Sequence, residues 1–367
     1  MSYNILPKNN NIIVLEPVIN NNNYEIYNSI SFFNMYKKKI DDKKLAIDNN
    51  NITNEIENRV DELNTPNFFL YNKMLNDNIL YDGNDISNLQ HSSAHSHSLS
   101  RSVSDTGVFF DLVEIIYNMN LQDTIKQTQT RLFITKLKID MDNFIIFYNL
   151  IQKDSNSDKL NNNFYFFNLK NVKLENNPKI DFCLIELTKV GDIQKTKSYV
   201  DELLRCLCII KTYLSIGGLF IIKMEHIFYK PVVEFIFILS CIFDKIYVIK
   251  PTTSSPTNFD KYIVCKGYCD NCFFNKDTIS RNLQLLDKEN DHKIMSFIKQ
   301  DIPSYFINKI TEIDVMLGQY QLDSIQDTIN IINNKTINEK IMVTKKNNIQ
   351  KSVMWCNKHK VNLNNLL

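Results

Sequence analysis

The sequence predicts an α/β protein with a mainly parallel sheet and helices on both faces. From residue 105 onward, short apolar runs typical of buried strands alternate with amphipathic helical stretches. The chain of 367 residues is also long enough to bury a full core. Its most apolar windows, Leu214–Ile222 and Val232–Phe243, are too short to cross a bilayer, so we expect no membrane association.

The predicted elements follow in chain order. Val108–Met119 and Asp140–Ile151 have helical apolar spacing, and Thr196–Leu214 is a long amphipathic helix that Gly217–Gly218 breaks. A further helix is predicted over Val232–Phe243. The predicted strands are Leu132–Leu137, Phe164–Leu169, Asp181–Leu187, Leu219–Met224, Lys245–Ile249 and Asp260–Lys266.

Composition divides the chain into four regions. Residues 1–90 are rich in Asn and are predicted to be only partly ordered, and residues 91–104 form a Ser/His linker. Residues 105–275 hold the alternating pattern of the α/β domain. Residues 276–367 are predicted to be a helical extension, helical over 276–335 and ending in a polar tail.

Charge and cysteine content restrict the function classes. Lys and Arg number 42 against 41 Asp and Glu, so the whole chain exerts no net attraction on nucleic acid. RNA binding would therefore need a local basic patch or a partner. Several of the 8 cysteines lie in apolar runs and behave as core residues rather than a disulfide framework. With no signal-peptide pattern at the N-terminus, we expect a reducing, intracellular location.

Several motif elements occur in a fixed order between Ser215 and Tyr268. A leucine-containing helix precedes SIGGLFIIKM, which ends its apolar run at Lys223. The next strand ends in Lys-Pro, and a loop of Ser, Pro and Asn leads to Asp260 and the strand KYIVCKGY. This order resembles the FtsJ-like RNA ribose 2′-O-methyltransferases, particularly the cap 2′-O-methyltransferase-like proteins of large DNA viruses. The resemblance implies a Rossmann-like fold that depends on S-adenosylmethionine, over residues 105–275.

The family uses a Lys-Asp-Lys-Glu set, and the resemblance identifies four catalytic candidates. Lys223 matches the lysine that helps to accept the proton of the ribose hydroxyl. Glu186 stands in place of the family aspartate, Asp260 in place of the glutamate, and Asp111 in place of the other lysine. Three carboxylates around one lysine would favour its ammonium form, which cannot accept a proton. Alternatively, Lys223 is an ordinary strand-end lysine, and Asp111 and Glu186 are solvent-facing surface charges.

The predicted cofactor loop also departs from the family. The family pattern is a strand followed by G-x-x-P-G-G-F, whose backbone approaches the methionine part of S-adenosylmethionine. Here KIDMDNF stands at that place, without glycine or proline. The resemblance assigns cofactor contacts to Asp140, Asp142, Asn143 and Phe144, in a turn that Asp and Asn can form.

Two Cys- and His-containing pairs raise the question of zinc. The spacings Cys269-x-x-Cys272 and Cys356-x-x-His359 could supply four ligands, although their large separation favours unrelated thiols and a tail histidine. Linker histidines His91, His95 and His97 are better explained by a solvated tether. The one tryptophan, Trp355, could pack the tail onto the domain or contact a partner.

Three functions remain open at the level of the sequence. The protein could be an active RNA methyltransferase, with capped mRNA as substrate and Lys223 essential. It could be a degenerate homologue that scaffolds or stimulates a second capping or methyltransferase subunit, which the altered Asp111 and the cofactor loop favour. It could also be a structural or virion-associated protein that retains the fold. A cytoplasmic location, or the host cytoplasm or virion for a viral protein, fits all three.

Overall fold

The structure is a computed structural model that describes residues 2–10, 13–20, 22–25, 107–127, 130–134, 163–166, 169, 178–187, 198–254, 256, 260–270, 293–333 and 338–359. Its strands are β1 (Ser2–Leu6), β2 (Val18–Asn20), β3 (Thr130–Ile134), β4 (Asn163–Phe166), β5 (Ile180–Glu186), β6 (Leu214–Met224), β7 (Phe243–Lys250), β8 (Lys261–Tyr268) and β9 (Lys293–Ser296). Its helices are α1 (Gly107–Asn118), α2 (Gln122–Gln127), α3 (Ser198–Tyr213), α4 (Lys230–Ile242), α5 (Ser304–Asn333) and α6 (Asn338–Lys358).

Seven of these strands form one sheet in the order β1-β7-β8-β6-β5-β3-β4, and β2 pairs separately with β9. Strands β4, β3, β5 and β6 are parallel neighbours. Strand β8 is antiparallel to both β6 and β7, so β7 runs in the same direction as β3 to β6. Strand β1 lies antiparallel on the edge. The predicted α/β class with a mainly parallel sheet is confirmed. The insertion of a reversed β8 was not predicted.

The sheet is covered on both faces, as the alternating side chains of β5 and β6 require. Cys183, Ile185, Phe220 and Ile222 pack towards α3, α4 and α5 in one core cluster. Their neighbours Phe182, Leu184, Leu219 and Ile221 pack in a second cluster with α1 and with Trp355 of α6. The site described below lies at the carboxyl ends of β5 and β6, where ligands of such sheets normally bind.

The diglycine lies inside β6 rather than at the end of a helix. Helix α3 ends at Tyr213, and β6 starts at once with Leu214. The prediction that Gly217–Gly218 breaks the helix is therefore wrong. Gly217 has φ +81°, a conformation that other residues rarely adopt, and a Cβ at Gly218 would come within 2.8 Å of the Ser215 carbonyl oxygen. The glycines thus let the strand bend directly after the helix.

Both ends of the chain contribute strands and helices that the sequence did not predict. Ser2–Leu6 pairs with β7 across its whole length, although it belongs to the Asn-rich region. Lys293–Ser296 is a strand within the stretch predicted to be helical, and Asn338–Lys358 is a helix where a polar tail was expected. Both expectations are corrected here. None of the helices in the described part of the chain is long and apolar enough to span a bilayer.

Candidate active site

Lys223 and Glu186 meet because their strands are adjacent and in register. Glu186 is the last residue of β5 and is the direct partner of Lys223 on the parallel strand β6. Lys223 Nζ lies 3.4 Å from Oε1 of Glu186 and 3.6 Å from Oδ2 of Asp260, which immediately precedes β8. The alternative that Glu186 is a solvent-facing charge is wrong, since its side chain is only 10% exposed. Three of the four predicted catalytic candidates thus form one cluster.

The charges around Lys223 keep its amine protonated. Burial opposes the charged form, but the carboxylates of Asp260, Glu186 and Asp111 outweigh it and raise the pKa of Lys223 above its ordinary value. The Tyr262 ring adds a weak attraction, with its centroid 5.9 Å from Nζ. The predicted preference for the ammonium form is confirmed in direction.

Asp111 lies beneath this cluster as a buried hydrogen-bond acceptor. It is 2% exposed, so the alternative of a surface charge is wrong for this residue as well. Its Oδ1 accepts the Thr253 hydroxyl at 2.6 Å, and its Oδ2 accepts the Ser254 hydroxyl at 2.6 Å and the Tyr262 hydroxyl at 3.0 Å. Burial raises the pKa of Asp111, while Lys223 and the three hydroxyls act to lower it. Asp111 therefore reaches Lys223 through charge and through Tyr262.

One helical turn after Asp111, Glu114 fixes the start of the loop between β7 and β8. Its carboxylate accepts the backbone N–H groups of Thr252 and Thr253, at 3.1 and 3.2 Å, and the Thr252 hydroxyl at 2.8 Å. The indole of Trp355 donates to the same carboxylate at 3.2 Å. Trp355 therefore packs the C-terminal helix onto the domain, which is one of the two roles predicted from the sequence.

A shallow cleft opens beside Lys223. Its volume is roughly 190 Å³, which includes space open to solvent. Its lining consists of Glu186, Leu187, Tyr199, Lys223, Met224, Glu225 and Asp260. Oε2 of Glu186 is buried and has no hydrogen-bond partner among the residues that the structure describes. The Lys223 ammonium group at the cleft can donate to a hydroxyl oxygen or another acceptor. The carboxylates of Glu186 and Asp260 match the positive charge of S-adenosylmethionine, but the described lining residues do not outline a site of its size.

Lys250 is a buried lysine at the site that the sequence analysis did not identify. It ends β7 and is 8% exposed, and its Nζ donates to the backbone oxygen of Asp260 at 2.7 Å. The pKa of Lys250 is lowered to about 7, mainly by burial and also by the charges of Lys261 and Lys223, against the opposing effect of Asp260 and Asp111. The Lys-Pro pair of the motif was its only signal in the sequence, and that signal assigns no role.

Two predicted ligand sets receive no support from the structure. The cofactor candidates Asp140, Asp142, Asn143 and Phe144 lie outside the described residues, as do Cys272 and the linker histidines. Within the described ranges, no group of three or more His, Cys, Asp or Glu residues could hold a metal ion. The zinc prediction is therefore unsupported.

The remaining members of the proposed zinc set have other partners. The Cys269 thiol donates to Asp244 at 3.4 Å. Cys356 is buried in the core cluster of α1 and α6. His359 Nδ1 lies 2.8 Å from the Trp355 carbonyl oxygen.

Fold and site together define a Rossmann-like methyltransferase domain. Residues 139–268 match the family model of the FtsJ-like methyltransferases, which identifies an FtsJ-like domain in this part of the chain. The chain is 30% identical over 118 residues to the mouse (Mus musculus) cap-specific mRNA (nucleoside-2′-O-)-methyltransferase 2. It is 32% identical over 123 residues to the Drosophila melanogaster protein of that name, and 38% identical over 66 residues to the human (Homo sapiens) methyltransferase 1 of the same description.

These similarities cover a limited part of each chain. The first two alignments take in 32% of this chain but only 15% of the mouse relative and 17% of the Drosophila relative. The human alignment takes in 18% of this chain and 7% of the relative. The matched relatives are animal proteins, and the expected closeness to viral proteins stays a prediction.

Proposed function

We propose that this protein is a degenerate cap 2′-O-methyltransferase homologue that binds capped RNA and supports a catalytic partner instead of transferring the methyl group itself. The main support is the charge around Lys223. A base for the ribose hydroxyl needs a free amine lone pair, and Glu186, Asp260 and Asp111 hold this amine in its protonated form.

The position of Asp111 adds to this argument. Family resemblance places a lysine there, and a second cation would lower the pKa of Lys223. Asp111 does the opposite, and its hydrogen bonds to Thr253, Ser254 and Tyr262 give it a structural use. The reversed charge is therefore built into the folded domain rather than tolerated at its surface.

Capped mRNA is proposed as the ligand because the relatives are named as cap-specific mRNA methyltransferases. The chain as a whole has nearly balanced charge, so we propose that a second capping or methyltransferase subunit supplies part of the RNA contact. A cytoplasmic location, where such RNA is handled, belongs to the same proposal.

An active enzyme is the alternative, and one observation favours it. Lys223, Glu186 and Asp260 still meet at a cleft. A ribose hydroxyl in this cleft could lie beside Lys223. When bound, S-adenosylmethionine would supply the methyl group. The residues described here would only orient the hydroxyl and hold charge near it.

Calorimetric titration of the purified full chain with S-adenosylmethionine is the first test. The proposal expects weak or no binding of the cofactor. It also expects the protein to bind capped RNA, and uncapped RNA to be a poor competitor for that binding. Loss of capped-RNA binding in a folded protein would overturn the proposal and favour a structural protein that retains the fold.

Transfer of a labelled methyl group to capped RNA separates the proposal from its alternative. Wild-type protein, Lys223→Met and the surface control Lys245→Met are compared, because Lys245 is exposed on β7. The proposal expects no transfer by any of the three. Transfer by wild type and Lys245→Met that is lost in Lys223→Met would establish the active enzyme.

A further inference from the structure

The loop that connects β7 to β8 brings Asp260 to Lys223, and α1 holds the start of this loop. Glu114 accepts the N–H groups of Thr252 and Thr253. Asp111 accepts the hydroxyls of Thr253 and Ser254. These bonds fix the first residues of the loop, but they lie several residues before Asp260.

Lys250 provides a bond at the far end of the same loop. Its Nζ donates at 2.7 Å to the backbone oxygen of Asp260, ten residues further along the chain. The Asp260 side chain, on the same residue, lies 3.6 Å from Lys223. Both lysines are buried, so this bond is shielded from competing water.

We propose that Lys250 is a positioning residue of the site, which holds Asp260 beside Lys223 by its bond to the Asp260 backbone. The inference concerns the same site as the proposed function and rests on the assignment of that site. Lys250 is absent from the cleft lining, so it acts through Asp260 rather than on a ligand.

The charge state of Lys250 is compatible with this role. Because burial lowers its pKa to about 7, Lys250 above neutral pH is mainly a neutral amine that still donates a hydrogen bond. At alkaline pH, the substitution of Lys250 by Met therefore removes a hydrogen bond but little charge. Any effect on Lys223 under these conditions must come from the position of Asp260.

The test measures the reactivity of Lys223 in the full chain by competitive acetylation, with each lysine quantified by peptide mass spectrometry between about pH 8 and 12. In Lys250→Met, Asp260 is released, Lys223 loses one neighbouring carboxylate, and its apparent pKa falls. Acetylation of Lys223 at a fixed pH is then expected to rise by about tenfold for each unit of that fall. Easier access alone would raise the rate without moving the apparent pKa.

Three variants make the result specific. Lys245→Met, on an exposed position of β7, is expected to leave the Lys223 profile close to wild type. Asp260→Asn alone is expected to raise the reactivity of Lys223. Combined with Lys250→Met it should add little, because both substitutions weaken the same contact between Asp260 and Lys223. Should Lys250→Met not fold, Lys250→Gln has a shorter side chain that cannot reach the carbonyl and carries the same expectation.

An unchanged apparent pKa of Lys223 in a folded Lys250→Met or Lys250→Gln protein would overturn the inference. The readout needs neither methyl transfer nor RNA. Failure of the proposed function, seen as methyl transfer by the wild-type protein, is therefore distinguished from failure of this inference, seen as an unmoved Lys223 profile.

Discussion

Lys223 Nζ lies 3.4 Å from Oε1 of Glu186, and the two residues are direct partners on the neighbouring parallel strands β6 and β5. The contact is therefore set by the sheet itself and not by a loop. The Leu187 N–H extends the same pairing by donating to the Lys223 carbonyl oxygen at 3.1 Å. Lys223 therefore stays a protonated cation beside the carboxylates of Glu186 and Asp260.

Lys223→Met is expected to destabilise the protein by about 3–5 kcal/mol near pH 8, because it leaves Glu186, Asp260 and Asp111 without their cation. The loss should shrink towards pH 5, since the remaining carboxyls would titrate at a raised pKa and bind protons in the folded state. Urea unfolding at both pH values measures this, with Lys245→Met as the surface control. An equal loss at both pH values would show that only packing was affected.

Asp111→Asn is expected to cost about 1–3 kcal/mol, because one amide oxygen cannot accept the hydroxyls of Thr253, Ser254 and Tyr262 together. The exposed Asp123→Asn should change stability by no more than about 0.5 kcal/mol. Thermal unfolding at neutral pH compares the two. A stability of Asp111→Asn within the range of the control would remove the structural explanation for the reversed charge.

Trp355→Phe removes the indole N–H that donates to Glu114 but keeps an aromatic ring near Phe110, whose centroid lies 5.7 Å away. A loss of about 1.5–3 kcal/mol is expected for a bond to a charged acceptor. Met354→Ala, at a position that is 70% exposed, should be nearly neutral. Combined with Glu114→Gln in a double-mutant cycle, Trp355→Phe should be less than additive, and full additivity would argue against the bond.

Glu234 predicts a pH dependence of stability that is unrelated to the site. Burial raises the pKa of Glu234 to about 7, against its bonds to Phe297 and Ser296 and the charge of Lys230. A folded pKa above the unfolded value of 4.5 means that this contribution is complete below pH 4.5 and is lost as pH rises through about 7.

Glu234→Gln should therefore flatten the fall in stability between about pH 5 and 8, measured by urea unfolding at several pH values. Glu312→Gln is the matched control, since that side chain is 67% exposed in a surface ion pair. A slope in Glu234→Gln as steep as in wild type would contradict the assignment.

The sequence was informative where the pattern is local. Alternating apolar strands and amphipathic helices predicted most elements from residue 105 to within a few residues, because burial on a sheet or helix face imposes a period. The motif between Ser215 and Tyr268 located Lys223 and Asp260, since spacing along one strand and one loop is preserved in the chain itself. The role of the diglycine was mispredicted because Gly217, with φ +81°, lies inside β6 and not at the end of a helix.

What the sequence by itself determined is therefore the α/β class, the family resemblance and the four charged candidates. Only the tertiary structure decided that the buried Asp111 accepts the Tyr262 hydroxyl, that Lys250 reaches Asp260, and that Trp355 of α6 donates to Glu114. The same holds for β1, which pairs with a strand more than two hundred residues away. Such contacts join residues distant in the chain, and their burial and charge depend on which surfaces the fold brings together, which no local period encodes.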